Sequence, residues 1–279
     1  MSAEQPSKRT RTSPTYTLIY HPGLPGRGEF TRLALEASGT PYTDLGGEAT
    51  WGSGDKKTKE ALTGQVYATV APDSLGEGNS PPVYALPALR VENAGTGGGP
   101  LVISQTGNML AYLGAKIGLA GEEDGPDKWH VSELALTALD WTNEAHDTHH
   151  PVNMMAYYED QLEESKKRSK DFREARCPKF LGYFERVLKG NKEKRDGEGK
   201  YLVGGKLTYA DTTLWQVIDG LLYAFPKELE ARKKDYPLIF ETFYPTIKEE
   251  KGIKEYLASE RRIKYSNGIF RKYPELDRQ

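Results

Sequence analysis

Three polar side chains stand where the chain could bind and stabilise an anion. Tyr20 lies at the end of a short β-rich run, residues 16–21, which leads into a turn of prolines and glycines. A hydroxyl held at a strand end can donate a hydrogen bond to a charged group, which is worth about 1.5–3 kcal/mol. Gln105 and Thr106 begin a predicted helix, where unpaired backbone N–H groups and the helix dipole favour an anion. These residue types predict an anion-binding site with a hydroxyl donor.

Three histidines are close neighbours in the sequence, at His146, His149 and His150, with Asp147 among them. Histidines three and four residues apart can share one face of a helix and ligate a metal ion. A zinc enzyme would usually add a further ligand of fixed orientation, and Pro151 ends the predicted helix here. We therefore expect the histidines to cap the helix or to line a second binding site, and we expect no metal.

The composition excludes several classes of protein. The 279 residues are 37% hydrophobic and 28% charged, which suits one large domain or two. A net charge of −2 indicates neither a nucleic-acid partner nor a basic membrane-binding surface. The first 15 residues are polar and lack the apolar segment of a signal peptide, so we interpret them as a disordered arm. We expect a cytoplasmic protein, and the single cysteine, Cys177, fits a reducing compartment.

The elements around Tyr20 predict a βαβ unit. Apolar residues at helical spacing follow the turn, at Phe30, Leu33, Ala34 and Ala37. Gly39 and Pro41 end that helix, and residues 41–44 form a second β-prone run. Strand, helix and strand in this order imply a parallel pair with a right-handed crossover.

A long interval at residues 45–82 is rich in glycine, serine and lysine, and we interpret it as an inserted irregular loop with a short helix near residues 56–62. Two β-rich runs at residues 83–91 and 101–104 are joined by glycines, which predicts an antiparallel hairpin. A helix follows. The order βαβ, loop, ββα over residues 16–120 is that of an α/β thioredoxin-like domain.

The remainder, residues 126–279, predicts an all-helical domain. Residues 127–149 and 158–189 have apolar positions at helical spacing, and Cys177 is expected to be an inert, partly buried residue of the second segment. Thr208 and Asp211 form a capping box that starts a strongly apolar helix ending at residue 224. The last residues, from about 261, either cover the functional site or extend into solvent.

Several motifs together resemble the cytosolic glutathione transferases of the tyrosine type, with sigma-like members closest in pattern. They are the β run that reaches Tyr20, the helix GRGEFTRLALE, the Leu86-Pro87 step before the third strand, and Ser104-Gln105-Thr106 at the next helix start. The sequence GGKLTYADTTLWQVIDGL resembles the buried helix of the family's second domain. The resemblance covers about residues 16–226.

The resemblance assigns roles to the polar residues. It implies that Tyr20 hydrogen-bonds to the thiolate of glutathione, and lowering a thiol pKa by about two units requires roughly 2.7 kcal/mol. Gln105 and Thr106 would bind the γ-glutamyl carboxylate. A cis peptide bond before Pro87 would let Leu86 pair with the cysteinyl backbone. Tyr16 shares the strand face of Tyr20 by the period of two and is the rival tyrosine.

Two further sets of residues are assigned less directly. The candidates for the glycine-end carboxylate of glutathione lie in the interval before the third strand and include Trp51 and Lys56. The candidates for an electrophile pocket lie in the helical domain and are Trp141, His146 and Tyr223.

The implied function is conjugation of the glutathione thiolate to a small hydrophobic electrophile, in detoxification, by a homodimer that uses glutathione as co-substrate and needs no metal. Two alternatives stay open. One is a glutathione-binding protein without activity, such as a crystallin-like or ligand-carrier protein. The other is a glutathione-dependent isomerase or peroxidase of the same fold. Only an enzyme needs a correctly aimed Tyr20.

Overall fold

The computed structural model describes residues 15–122, 125–194 and 198–279. The predicted disordered arm lies outside the described residues except for Thr15. Among the residues described, no helix has the length and apolar character needed to cross a lipid bilayer.

A four-stranded mixed sheet forms the N-terminal part, with the order β2-β1-β3-β4. Its strands are β1 (Tyr16–Ile19), β2 (Tyr42–Asp44), β3 (Ala88–Val91) and β4 (Leu101–Ser104). Strand β1 runs parallel to β2 and antiparallel to β3, and β4 is antiparallel to β3. This topology confirms the predicted thioredoxin-like fold.

Two helices cover one face of the sheet, α1 (Gly28–Ser38) and α4 (Thr106–Ile117). Leu35 of α1 and Met109 of α4 pack there against Leu18 and Leu89 of the sheet. Helix α1 ends as predicted at Gly39, whose φ of 66° places it in the left-handed region.

The interval at residues 45–82 is more ordered than the sequence indicates. The helix predicted near residues 56–62 is present but longer, and the prediction of an irregular loop is wrong for residues 45–51. The interval contains α2 (Leu45–Trp51) and α3 (Lys56–Ala68). The side chains of Asp44 and Asp55 cap the two helices by accepting hydrogen bonds from backbone N–H groups. Helix α3 buries only Val66, so it has no apolar stripe from which its length could be recognised.

The C-terminal part is helical, as predicted. Its helices are α5 (Asp127–His146), α6 (Leu162–Asp171), α7 (Cys177–Lys194), α8 (Tyr209–Ala224), α9 (Pro226–Arg232), α10 (Tyr244–Glu249) and α11 (Lys251–Leu257). One core unites these helices, apart from α6, with Phe30, Leu33 and Ala34 of α1. Because this core is shared, the division into two domains at residue 126 stays a prediction.

Helix α8 is the buried centre of this part. Its capping box is confirmed, because Asp211 accepts hydrogen bonds from the backbone N–H groups of Thr208 and Leu202, each at 2.7 Å. Cys177 lies completely buried at the start of α7. Burial raises the pKa of its thiol, which keeps it protonated and inert.

The chain beyond α11 is irregular and folds back onto the protein. Ile269, Phe270 and Leu276 are buried in the helical core. The carboxylate of Asp277 caps α9 by accepting hydrogen bonds from the backbone N–H groups of Lys227 and Glu228. These contacts hold the terminal segment, residues 258–279, against the body of the protein. Of the two placements predicted for it, extension into solvent is therefore not observed.

Candidate functional site

The strand register brings three of the predicted site residues to one edge of the sheet. Ile19 pairs with Ala88, and Ala88 pairs with Ser104. The next residues along each chain direction are Tyr20, Pro87 and Gln105, so all three lie at the same edge. The sequence placed each of them at the end of an element, and the register makes them neighbours.

Tyr20 stands in a cleft of about 360 Å³ at this edge. The turn after β1 contributes Tyr20 and Arg27, the end of α5 contributes Asn143 and His146, and the terminal segment contributes residues 267–269. The cleft therefore lies between the sheet and the helical part, where a ligand on the sheet edge would meet the helices.

The hydroxyl of Tyr20 is held in a defined position. Its oxygen accepts a hydrogen bond from the backbone N–H of Arg27 at 2.9 Å, so its proton is left for donation to another group. The residue is only 6% exposed. Burial raises the pKa of Tyr20 and outweighs the opposing bond from Arg27, so the hydroxyl is protonated at neutral pH. It can donate to an anion in the cleft.

Gly26 gives the Tyr20 hydroxyl its space, and replacing it should displace the hydroxyl. A Cβ on Gly26 would lie 2.1 Å from the Tyr20 oxygen, and the residue has a φ of +40°. We expect Gly26→Ala to lower any activity that depends on Tyr20 by tenfold or more, on the order of the loss of one charged hydrogen bond. Gly23→Ala is the matched control, because Gly23 also has a positive φ but has open space around it. Equal activity in the two variants would contradict the prediction.

Tyr16 is not an alternative donor in this cleft. It packs with Leu18 and Leu35 and does not line the cleft, whereas Tyr20 packs with Ile19 and Leu86. The Tyr20 ring also lies close to Gly28 and 5.9 Å from the guanidinium of Arg32, both on α1. That Tyr16 and Tyr20 share a strand face stays a prediction.

The residues assigned to the cysteinyl and γ-glutamyl parts of glutathione lie just before β3 and at the start of α4. The Leu86-Pro87 peptide bond is cis, as the resemblance implied, and Leu86 packs in the same cluster as Tyr20. Gln105 is exposed and has a φ of 68° directly before α4. The hydroxyl of Thr106 is buried and has no hydrogen-bond partner among the described residues.

Trp51 and Lys56 differ in their surroundings. Trp51 ends α2, and its indole nitrogen is buried without a partner in the part of the chain that the structure describes. The side chain of Lys56 is 90% exposed and pairs with Glu60 across 3.7 Å. Trp51 thus has an unused donor, whereas Lys56 lies in solvent.

The three electrophile-pocket candidates are not together. His146 lines the cleft with Tyr20. Trp141 is instead fully buried and stacks on Phe180 in the helical core, because its position on α5 faces α7. Tyr223 does not line the cleft and stacks on Tyr265 of the terminal segment, with ring centroids 4.9 Å apart.

Of the two roles expected for the histidines, capping α5 is not observed, whereas His146 lines the cleft. The helix ends at His146, so His149 and His150 lie in the following turn. The Nε2 atom of His149 lies 2.9 Å from the carbonyl oxygen of Ile269 in the terminal segment. Burial is the main cause that lowers the pKa of His146 to about 4 and of His149 to about 3, so both rings are neutral at pH 7.

A buried charged network, which the sequence did not predict, attaches the terminal segment behind the cleft. Glu29 and Arg32 of α1 form an ion pair at 3.1 Å, and Arg32 also pairs with Asp44 at 2.6 Å. Arg262 reaches Glu29 and, at 3.2 Å, Asp219 of α8. The motif GRGEFTR contains Glu29 and Arg32 three residues apart, which is a local signal, but no local signal indicates Arg262.

Comparison with known proteins agrees with this arrangement. A family model described as "Glutathione S-transferase, C-terminal domain" matches residues 146–260. A protein named Glutathione S-transferase P 1 from Xenopus laevis is 28% identical over 254 residues, which are 90% of this chain and 95% of that one. These matches support an assignment of the chain to the cytosolic glutathione transferase family. The sigma-like subtype within that family stays a prediction.

Other matching proteins are more distant. The Glutathione S-transferase of Plasmodium falciparum is 22% identical over 248 residues, which are 89% of this chain and 98% of that protein. The solved Pi-class Glutathione S-transferase of Onchocerca volvulus matches with a TM-score of 0.56 and 21% identity. This match covers 87% of this chain and 91% of that one.

Proposed function

We propose that this protein conjugates the thiolate of glutathione to a small hydrophobic electrophile and that Tyr20 stabilises the thiolate. The observation that carries the proposal is the Tyr20 hydroxyl, which faces a cleft, accepts from Arg27 and keeps its proton for donation. A hydrogen bond to a charged group is worth about 1.5–3 kcal/mol. This is the size of effect needed to lower a thiol pKa by one to two units, because one unit is about 1.4 kcal/mol.

The polar groups that lack a hydrogen-bond partner among the described residues support a specific orientation of glutathione in the site. The γ-glutamyl carboxylate would lie at the start of α4, where the Thr106 hydroxyl and the helix N–H groups are available. The cysteinyl backbone would lie along Leu86, and the glycine-end carboxylate would accept from the indole of Trp51. Lys56 would contribute only after its side chain leaves Glu60. In this orientation the thiol reaches Tyr20.

The electrophile would lie in the cleft between Tyr20, His146 and the terminal segment. We propose cytoplasmic detoxification as its setting, on the family resemblance alone. We also propose a homodimer, because the side chain of Tyr84 is almost fully exposed and Leu136 of α5 is half exposed. Such apolar exposure is typical of interaction surfaces. Light scattering that gives twice the mass of one chain would support the dimer, and the mass of one chain would contradict it.

The test is an ultraviolet titration of glutathione bound to the wild-type protein, which follows thiolate absorbance against pH. A bound thiol that ionises well below the usual thiol pKa of about 8.5 supports the proposal. Binding without a change of the thiol pKa would overturn it in favour of a glutathione-binding protein without conjugating activity. Absence of binding would overturn any role for glutathione.

Thr106→Val should weaken glutathione binding. Valine keeps the shape of threonine and removes only the hydroxyl, so we expect the Kd for glutathione to rise about tenfold or more, the loss of a hydrogen bond to a carboxylate. Isothermal titration calorimetry measures this change. Thr31→Val is the matched control, because the Thr31 hydroxyl is also buried without a partner among the described residues but lies within α1. A control variant that loses as much affinity as Thr106→Val would contradict the assignment.

A further inference from the structure

The turn after α5 brings three imidazole rings together. One ring nitrogen from each of His146, His149 and His150 lies within 4.8 Å of those of the other two. The ring centroids are 4.9 Å apart in all three pairs. Neither the sheet-edge site nor the Tyr20 hydroxyl needs this arrangement.

His149 has the hydrogen-bond pattern of a metal ligand. It is 1% exposed, and its Nε2 lies 2.9 Å from the carbonyl oxygen of Ile269. A carbonyl oxygen can only accept, so Nε2 carries the proton and Nδ1 has a free lone pair. That Nδ1 atom is buried and has no hydrogen-bond partner among the described residues. Histidine ligands usually donate their other ring N–H to a carbonyl or a carboxylate in this way, which orients the ring.

His150 repeats part of this pattern. Its Nδ1 atom is also buried without a partner in the described part of the chain. A buried nitrogen that makes no hydrogen bond is costly, and two of them beside each other need an explanation. A shared metal ion would satisfy both nitrogens at once.

In contrast to the expectation from the sequence, we propose that His146, His149 and His150 bind one divalent transition-metal ion, with Zn²⁺ as the best fit. Three histidines with one open position form a common zinc site, and zinc–nitrogen bonds of about 2.0–2.1 Å place tetrahedral ligand nitrogens about 3.3 Å apart. The nitrogens lie within 4.8 Å of each other, so the rings need to approach by no more than about 1.5 Å. Rotation of His146 and His150, which are only half-buried, can supply that movement.

The charges around the site are mixed. Asp147 lies 3.7 Å from Nδ1 of His146 and supplies a negative charge. Arg168 lies 3.8 Å from Asp147, and Arg27 and Arg271 line the neighbouring cleft, so positive charge opposes the ion. Because of this repulsion we expect a Kd of roughly micromolar, weaker than that of structural zinc sites.

The first experiment is isothermal titration calorimetry of Zn²⁺ into tag-free, full-length protein that has been dialysed against a chelator. We expect one Zn²⁺ per chain. Titration with Co²⁺ gives a second readout, because a tetrahedral site with nitrogen ligands produces intense visible absorption bands. Cys177 is fully buried and does not compete for the ion.

Variants of single histidines identify the ligands. His149→Gln keeps an N–H donor for Ile269 but lacks the imidazole lone pair, and we expect the Kd for Zn²⁺ to rise tenfold or more. His146→Gln should do the same at a less buried position, so the proposal remains testable if His149→Gln does not fold. His130→Gln is the matched control, because His130 is exposed and pairs with Glu133 on another part of α5.

Two outcomes would overturn the proposal. One is wild-type protein that shows no saturable Zn²⁺ binding and no visible Co²⁺ bands. The other is a loss of binding in His130→Gln equal to that in His146→Gln, because the ion would then bind elsewhere. Either outcome would leave the glutathione proposal unaffected, since its test contains no metal.

Discussion

Replacing Tyr20 by phenylalanine is expected to lower kcat/KM for conjugation by about 10- to 150-fold, the equivalent of one hydrogen bond to a charged group. The thiol of bound glutathione should at the same time return to its usual pKa of about 8.5. Phenylalanine retains the ring that packs against Gly28 and removes only the hydroxyl that Arg27 holds. Steady-state kinetics and the thiolate titration measure the two effects on the same samples.

Tyr16→Phe is the matched control for that experiment. Tyr16 lies four residues earlier and packs in a separate apolar cluster, beside Leu35 and Met109, away from the cleft. We expect its removal to leave the thiol pKa and kcat/KM unchanged. Equal losses in both variants, or an unchanged thiol pKa in Tyr20→Phe, would contradict the role proposed for Tyr20.

Arg262→Ala is expected to lower the free energy of unfolding by about 3–5 kcal/mol, because it leaves buried acidic groups without one of their partners. Arg262 is 11% exposed and pairs with Glu29, which has no exposure, and with Asp219. Arg32 and the hydroxyl of Tyr256 would remain on Glu29 but cannot replace the lost charge. Urea denaturation measures the change.

The adjacent residue provides the control. Arg261 also pairs with a glutamate of α1, Glu36, but its side chain is 42% exposed. Solvent screens such a pair, so Arg261→Ala should cost at most about 1 kcal/mol. Both variants remove an arginine that pairs with a glutamate of α1, so a difference in their cost measures the effect of burial on such a pair. Equal costs would show that burial of the Glu29 pair contributes nothing.

The pH dependence of stability gives a second check on Arg262. Burial alone would raise the pKa of Glu29, but the charges of Arg262 and Arg32 hold it below its usual value. A carboxyl whose pKa is lower in the folded state stabilises the protein above its unfolded-state pKa. That stabilisation is lost as the pH falls through the folded-state pKa. We expect Arg262→Ala to reduce this acid-induced loss, which a series of urea titrations from pH 7 to acid would show.

Local patterns were enough to predict most of the fold and much of the candidate site. The span of α8 and its capping box of Thr208 and Asp211 were read from residues three apart, because a cap and its helix are close in sequence. Tyr20, Pro87 and Gln105 were singled out by the family resemblance, whose motifs lie where one element ends and the next begins, and their roles stay predictions. The thioredoxin-like order of strands and helices follows from β-prone runs, turn residues and helical periodicity.

Predictions from local sequence patterns failed where the pattern was weak, or where a residue's surroundings depend on contacts with residues distant in the sequence. Helix α3 is almost entirely exposed, so it carries no apolar stripe, and the segment looked irregular. Trp141 was predicted to line the electrophile pocket. Its ring is buried instead, because α5 packs against α7 there, and no local pattern indicates that contact. The same applies to Tyr16, because only the folded structure shows that Tyr20 lines the cleft and Tyr16 does not.

The contacts that complete the cleft depend on the tertiary structure. Arg262 and Glu29 are 233 residues apart, and His149 and Ile269 are 120 apart. No spacing rule connects such residues, because their meeting depends on how every intervening helix packs. Sequence periodicity encodes which face of an element is buried, whereas the partner buried against that face is decided only when the whole chain has folded. The tyrosine at the strand end is therefore a property of the sequence, and the cleft around it is a property of the fold.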